Sequence, residues 1–588
     1  MNFIKIFTFL LVVSFSSLSV SAQEVSSEKA SAEIRLNQVG FYPEGPKTAI
    51  VVDTNAENFS IQTKGNREEV FSGKLSSAKK WPHSGELVKQ ADFSSFSSPG
   101  NYVLYVPGTG YSHPFKIEQN VHLAPAKASL KAFYFQRAST ALPEEYAGQW
   151  ARKAGHPDDK VKIHNSAATK NLPAGSTISS PKGWYDAGDY GKYVVNSGIT
   201  MATLFSLYED FPQYMKNLEL NIPENNNTIP DILDETLWNL RWMMSMQHED
   251  GGVYHKLTSA NFHPMSIPSE AKLQRWVVQK STAATLDFAA VTAQASRIFN
   301  EYKEELPGLS DSLLVMSKNA YQWAKEHPEQ YYNQRELKDP AVSTGAYGDG
   351  NVEDEFQWAA TELFITTGNK KYYEEASIEE DLDSFQIPSW PNVNTLALYS
   401  LLRNQEKYQG ENIVNIDAIE RRVLAMADEL AEYSQTSAYA APMGVKDSDF
   451  AWGSNSQAAN QGILLINAYS LTKNKKYLDA AIANLDYLLG RNATGYSFLT
   501  GYGEKSTKHP HHRPSEADGI EDPVPGLLAG GPNPGQQDKG GCENLYTEKH
   551  QYPATSYIDE SCSYASNEIA INWNAPFVYL ANAIEALR

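Results

Sequence analysis

The chain has 588 residues, too many for one ordinary hydrophobic core, so two or more domains are expected. Its 50 Lys and Arg against 70 Asp and Glu give a net charge of −20, which argues against a nucleic-acid partner, whose phosphates would be repelled. Apolar residues make up 41% and aromatics 11%, including 33 Tyr and 11 Trp, a composition that suits a globular protein with broad stacking surfaces acting on a neutral polymer.

The N-terminus reads as a signal peptide over residues 1–22. Lys5 supplies the positive start, Ile6 to Val13 the apolar run, and Val20-Ser21-Ala22 the small residues before a cut ahead of Gln23. That run is too short to span a bilayer comfortably, and no later stretch reads as transmembrane. The mature protein is expected to be soluble, without a membrane anchor, and secreted or periplasmic. Residues 23–32 are polar and are expected to be a disordered linker.

Residues 33–118 have β texture. About seven short apolar runs, such as Thr48-Ala49-Ile50-Val51-Val52 and Tyr102-Val103-Leu104-Tyr105-Val106, are separated by Gly, Pro, Asn and Asp. This pattern predicts an immunoglobulin-like sandwich without the Cys pair of antibody domains. From Ala124 the texture turns helical and stays so over 124–588. About a dozen helices are predicted, at 126–140, 193–208, 231–247, 282–299, 312–324, 354–367, 370–376, 393–403, 416–432, 456–472, 476–489 and 567–587. Many helices with long connections rich in Gly, Pro and aromatics suggest a large helical barrel or toroid with function in the loops at one end. The longest irregular stretch, 491–566, is dense in His, Pro, Gly, Tyr and Asp. No binding module is expected after the helical region, which favours soluble or amorphous substrate over a crystalline one.

Chemistry concentrates in three places. In Trp184-Tyr185-Asp186-Ala187-Gly188-Asp189-Tyr190-Gly191-Lys192-Tyr193, two carboxylates lie three residues apart around a glycine and among aromatics. Paired carboxylates beside flat apolar faces suit glycosidic cleavage, which needs an acid and a base. An ordinary Asx-rich turn is the alternative. The second place is Lys508-His509-Pro510-His511-His512-Arg513-Pro514, stiffened by prolines and suited to gripping hydroxyls or a carboxylate. Histidine clusters also bind metals, although Arg513 would repel a cation. The third, Tyr557-Ile558-Asp559 and Tyr564 to Pro576, places Glu568 at a predicted helix start beside Ile569. A carboxyl in a partly apolar site stays protonated more readily and can act as a general acid, while a Glu favoured by the helix dipole is the bland alternative. Cys542 and Cys562 lie in the same loop region, and export favours a disulfide between them, with two buried thiols as the alternative.

Together these motifs resemble glycoside hydrolase family 9, the inverting cellulase-type enzymes. Asp186-Ala187-Gly188-Asp189 is similar to the family's base motif. Ser497-Phe498-Leu499-Thr500 with Gly503, Lys505 and Pro510-His511-His512-Arg513 is similar to its histidine signature. Tyr557, Asp559, Tyr564, Glu568, Ala570, Asn574 and Ala575 are similar to its acidic signature, and 523–535 resembles a further family loop. Arg35-Leu36-Asn37-Gln38-Val39-Gly40-Phe41 resembles the immunoglobulin-like module that precedes many such catalytic domains.

The resemblance implies an all-α (α/α)6 barrel after the all-β sandwich, with Asp189 as general base, Asp186 orienting the attacking water and Glu568 as general acid. It also implies that His511 and Arg513 bind sugar beside the cleavage point, with Asp559 in support. Trp573, Trp452, Trp390 and Tyr190 are candidate sugar-binding aromatics, with core packing the alternative for Trp452 and Trp390. Inversion requires the base and acid carboxyls to lie roughly 6.5–9.5 Å apart, leaving room for water.

Gly348-Asp349-Gly350-Asn351-Val352-Glu353-Asp354-Glu355 resembles the family's calcium segment, with Asp354 and Glu355 as ligands. Acidic residues at a helix N-terminus without metal are the alternative, and no cofactor is needed for the chemistry itself. The expected activity is an endo-β-1,4-glucanase acting on β-glucan polysaccharide or oligosaccharide as a monomer. Xyloglucanase, mixed-linkage glucanase, or exo-acting β-glucosidase or glucosaminidase activity would use the same residues. A non-catalytic glycan-binding protein is disfavoured because both carboxyls are present.

Overall fold

The computed structural model describes residues 29–408 and 413–588. The signal peptide read over 1–22, and 23–28 of the linker read over 23–32, lie outside the described residues. Ten strands come first: β1 (Ile34–Arg35), β2 (Gly40–Phe41), β3 (Thr48–Val52), β4 (Asn58–Thr63), β5 (Glu69–Lys74), β6 (Lys79–Lys80), β7 (Leu87–Asp92), β8 (Gly100–Val106), β9 (Gly110–Tyr111) and β10 (Phe115–Ile117). They form two sheets, ordered β1-β3-β7-β6 and β2-β10-β8-β4-β5, with β9 on β8.

The continuous apolar run of β3 has a structural reason. Successive strand side chains point to opposite faces. Ala49 and Val51 enter the core between the two sheets, with Phe41, Phe93 and Phe115. Ile50 and Val52 enter the core shared with the helical region. The first sheet is therefore covered on both faces, which is why its central strand does not alternate with polar residues.

Twelve helices of seven or more residues follow among the described residues. They are α1 (Leu123–Phe135), α2 (Val194–Asp210), α3 (Asp231–Ser245), α4 (Thr282–Phe299), α5 (Leu309–Glu326), α6 (Glu353–Thr367), α7 (Lys370–Ala376), α8 (Asn394–Arg403), α9 (Ile416–Thr436), α10 (Ser454–Thr472), α11 (Lys475–Leu488) and α12 (Ile571–Ala586). Packing sorts them by parity. Contacts run α2–α4–α6–α8 and α10–α12–α2, while α3, α5 and α7 pack on α2, α4 and α6 respectively. Of the remaining odd-numbered helices, α1 packs on α12, α9 spans α8 and α10, and α11 packs on α10.

The sequence explains the sorting. Every residue of α4 except Arg297 is buried, as its run of Ala, Leu, Phe and Val requires. In α9 the buried residues Ile419, Val423, Met426, Ala427, Leu430, Ala431 and Ser434 recur at helical spacing on one stripe.

Two sequence expectations change. The helical region also holds a five-stranded sheet, ordered β12-β11-β15-β14-β13. Its strands are β11 (Val161–Ile163), β12 (Thr177–Ile178), β13 (Lys192–Tyr193), β14 (Lys256–Ser259) and β15 (Arg275–Val277), too short to stand out from the surrounding loops. Glu568 is not at a helix start either, because α12 begins at Ile571. Bridges from His511 to Glu568, Ala529 to Ile569 and Ala187 to Ala570 draw this segment into extended pairing.

Candidate active site

The aspartate turn is held between α1 and α2. Tyr185 N–H donates to Gln136 O (2.8 Å), Asp186 N–H to Gly191 O (3.0 Å), and Ile571 N–H to Asp186 O (2.8 Å). Gly188 is fixed by crowding and not by an unusual φ: a Cβ there would sit 1.9 Å from the His511 carbonyl oxygen. The turn can approach the histidine loop this closely only without a side chain.

The two aspartates have different surroundings. Asp186, 1% exposed, accepts from Asn196 Nδ2 (3.0 and 3.1 Å) and Tyr347 O–H (3.0 Å). Burial, and then the charge of Asp189, raise its pKa well above the usual carboxylate range. Asp189 accepts at Oδ2 from Gly191 N–H (3.1 Å) and Tyr193 O–H (3.0 Å).

The histidine loop and the Glu568 segment meet the turn from the other side. His511 N–H donates to Asn567 O (2.9 Å) and Gly530 N–H to Glu568 O (2.8 Å). His511 Nδ1 donates to Ser561 O (2.5 Å), and burial lowers the ring's pKa. Its neutral form therefore keeps Nε2 as an acceptor. His512 is fully buried, its ring nitrogens spent on Ser515 (2.8 Å) and Gln136 (3.0 Å), so the pair is not a metal clasp. Arg513 Nη1 donates to Gly188 O (2.8 Å) and Nε to His263 O (2.9 Å), which ties the loop to the aspartate turn.

Asp559 acts as a fastener. Its carboxylate accepts from the backbone N–H groups of Lys508 (2.9 Å) and His509 (3.0 Å) and from Asn567 Nδ2 (3.2 Å), next to Glu568. Glu568 is half-buried. Burial and then the Asp189 charge raise its pKa well above the usual range, with Arg513 opposing.

The sequence-predicted aromatics separate. Trp452 is 45% exposed, its ring 5.7 Å from the exposed Tyr564. Trp390 is half-buried and meets Tyr347 edge-on at 5.4 Å. Trp573 is buried against Gly453 and Gly530 and exposes the least face of the three. Tyr190 is buried. It packs among Tyr185, His156 and His263, and its hydroxyl donates to Ser266 O. Cys542 and Cys562 form a disulfide. Sequence reading missed Tyr347 and Asn196. Tyr347 lies 161 positions from Asp186, so no local spacing points to it.

The acidic first turn of α6 is only partly available to a cation. Asp354 Oδ2 accepts from Val393 N–H (2.7 Å), whereas both carboxyl oxygens of Glu355 and of Asp287, in α4, are buried without partners. Burial raises both of these pKa values well above normal. Among the described residues no three His, Cys, Asp or Glu side chains converge as a metal site would need. The hard oxygen donors suit calcium, but its shell would need backbone oxygens and water as well.

The family model described as Glycosyl hydrolase family 9 matches residues 124–581. The chain belongs to glycosyl hydrolase family 9. The family 9 region is preceded by a match to the cellulase N-terminal ig-like domain at 29–111. The family 9 chain is 46% identical over 577 residues to the xyloglucan-specific endo-beta-1,4-glucanase BoGH9A of Bacteroides ovatus, covering 97% of each protein. It is 33% identical to endoglucanase D of Acetivibrio thermocellus, over 95% of this chain and 84% of that one. Among solved structures, that of Bacteroides ovatus GH9 matches with a TM-score of 0.87 at 45% identity, covering 95% of this chain and 99% of that one. AaCel9A in complex with cellobiose-like isofagomine matches with a TM-score of 0.83 at 29% identity, over 94% and 99%.

Proposed function

We propose that this glycoside hydrolase is an exported, monomeric endo-β-1,4-glucanase working by single displacement with inversion. The observation that carries the reading is the contrast between two carboxyls in electrostatic contact. Glu568 is pushed toward its protonated form by burial and by the Asp189 charge, while Asp189 is met by the donors Gly191 N–H and Tyr193 O–H. An acid that keeps its proton beside a base that accepts one is what the reaction requires.

Asp189 Oδ1 takes a proton from water as the water oxygen bonds to the anomeric carbon. The glycosidic C–O bond breaks on the opposite face, and Glu568 gives its proton to the departing sugar oxygen. Asp186, fixed by Asn196 and Tyr347, orients that water. His511 Nε2 accepts a sugar hydroxyl, Arg513 holds the two halves of the site in register, and Trp452 offers a stacking face.

The helix order supports an (α/α)6 barrel: even-numbered helices inside, odd-numbered outside, and the site in the loops at one end. We assign 33–118 to a supporting immunoglobulin-like domain and 124–588 to the catalytic domain. The unpartnered oxygens of Glu355 and Asp287 support a structural calcium ion near α6, outside the reaction. Chelation should then lower the melting temperature, and an unchanged melting curve in EDTA removes the ion from the reading.

A second reading, xyloglucan as the preferred glucan, is favoured by the higher identity to BoGH9A than to endoglucanase D. One experiment addresses both. Proton NMR of fresh product should show the α-anomer first, and a β-anomer overturns inversion. Initial rates and product sizes on tamarind xyloglucan, soluble cellulose derivatives and cellodextrins decide the substrate. Release of monosaccharide without loss of viscosity would replace endo with exo action.

A further inference from the structure

Behind the base lies a lysine that the reaction scheme leaves unexplained. Lys256 is fully buried, yet among the described residues no carboxylate pairs with it. Its Nζ is surrounded by neutral oxygens: Gly345 O (2.6 Å), Gln334 Oε1 (2.8 Å), Thr344 Oγ1 (3.2 Å) and Thr344 O (3.4 Å). Three of the four, Gly345 O, Gln334 Oε1 and Thr344 O, are carbonyl oxygens that can only accept, which matches the three N–H donors of an ammonium. A buried charge without a counter-ion is costly, and a fold that keeps one is using it for something else.

Its position indicates the use. Lys256 on β14 pairs directly with Tyr193 on β13, and its Nζ lies 5.5 Å from the centre of the Tyr193 ring. Tyr193 donates to Asp189. Through Thr344 and Gly345 the same ammonium holds the strap that ends in Tyr347, the donor to Asp186. His255, the preceding residue, holds the next carbonyl, Ala346 O, at 2.8 Å, with its ring stacked on Tyr332 at 3.8 Å. Two adjacent side chains thus grip three consecutive residues of the strap.

We propose that Lys256 is a positioning residue for the hydrolysis, which aligns Asp189 through Tyr193 and Asp186 through the Thr344–Tyr347 strap. This rests on the reading of Asp189 as base. Burial draws the lysine's pKa down to about 7, and the Asp189 charge is what opposes it.

The test is Lys256→Met, which keeps the length of the side chain and removes its charge and donors. On cellodextrins kcat should fall on the order of 10- to 100-fold, the cost of a misplaced catalytic group. KM should change less than about twofold, because ground-state binding is untouched. An aryl cellobioside with an acidic phenol should lose as much, because water must be activated whatever the leaving group.

Thr344→Val is the milder second variant, since it keeps the lysine and its charge and removes one of its acceptors together with that hydroxyl's bond to Thr258, and it should show the same pattern at smaller size. A folded Lys256→Met enzyme with near-wild-type kcat, a loss confined to KM, or a loss only on the unactivated substrate overturns the proposal. If Lys256→Met does not fold, an unchanged kcat in Thr344→Val overturns it instead. Failure of the base assignment is read separately, from Asp189→Asn and the product anomer in otherwise wild-type enzyme.

Discussion

The proposed base, Asp189, and the proposed acid, Glu568, are carried by two regions tied down in different ways. The aspartate turn is short and leads straight into β13 and α2, with its side chains held by Tyr193 and Asn196 from those elements and by Tyr347 from the strap before α6. Glu568 follows a stretch of more than seventy residues with little regular structure, running from Arg491 to Ser566. Order there comes from ties between loops: Asp559 to Lys508, His509 and Asn567, and Asp538 to Ser563, Ala565 and Tyr546. A base must hold a water at one angle, which a rigid frame provides. An acid must hold its proton, and Glu568, half-buried beside the buried Asp189, is pushed that way by desolvation and by the Asp189 charge.

The sharpest test of this division is the pair Asp189→Asn and Glu568→Gln. Loss of the base should cost on the order of 10²- to 10⁴-fold on any substrate, because nothing else activates the water. Loss of the acid should cost about as much on cellodextrins but far less on an aryl glycoside with an acidic phenol, which leaves without a proton. Equal losses on both substrates for Glu568→Gln would take the acid role away from it.

The pH profile reads the same contrast. Activity needs Glu568 protonated, so it falls as pH rises through that group's pKa. Burial and the Asp189 charge raise this pKa well above the usual value, which places the basic limb of kcat/KM above the ordinary carboxylate range. Removing the neighbouring charge by Asp189→Asn should move the residual activity's basic limb down. A limb that stays in place would mean that Glu568 does not set it.

Gly188→Ala attacks the seam between the two regions. The new Cβ would lie 1.9 Å from the His511 carbonyl, so turn and loop must part. Activity should fall about 100-fold or more through misplacement, on both substrates, with the helical content in circular dichroism retained. A nearly active variant would show that the two segments slide without penalty.

The contrast also explains what could be read from the sequence. The helices were legible because burial imposes a period: 282–299 and 370–376 coincide with α4 and α7, since one is buried all round and the other starts at an Asn cap. Asp186 and Asp189 stand out in the sequence because a close-set motif carries them. Tyr347, Asn196 and the β11–β15 sheet were not, because their roles depend on contacts across 161 positions, on one turn of a buried helix, and on strands of two to four residues. Tyr190 shows the limit of local spacing, because an aromatic next to Asp189 looks alike in sequence whether it faces solvent or packs on His156. Glu568 was placed on a helix because the apolar run of α12 extends back through Ile569, and only the bridges to Ala187 and Ala529 reveal the extended stretch.

The smallest expected effect on catalysis comes from the disulfide. Cys542 and Cys562 close a loop with a sequence separation of 20, which in the chain-entropy model contributes roughly 3 kcal/mol. The same loop is tied at nearly the same place by Asp538, fully buried, whose carboxylate accepts from Ser563 O–H (2.7 Å), Ala565 N–H (2.9 Å) and Tyr546 O–H (2.6 Å). The bridge therefore adds local stability to a loop that already has its native shape. Replacing both cysteines by serine should speed proteolysis and hydrogen exchange between residues 536 and 566 while leaving kcat within about tenfold of wild type, since local opening need not disturb the rest. Asp538→Asn in the same background should then cost more activity than either change alone, because the two ties share one task. Collapse of kcat on serine substitution alone would mean that the bridge, and not Asp538, holds the acid in place. Labelling of two thiols in the unfolded, unreduced protein would remove the bridge from the account.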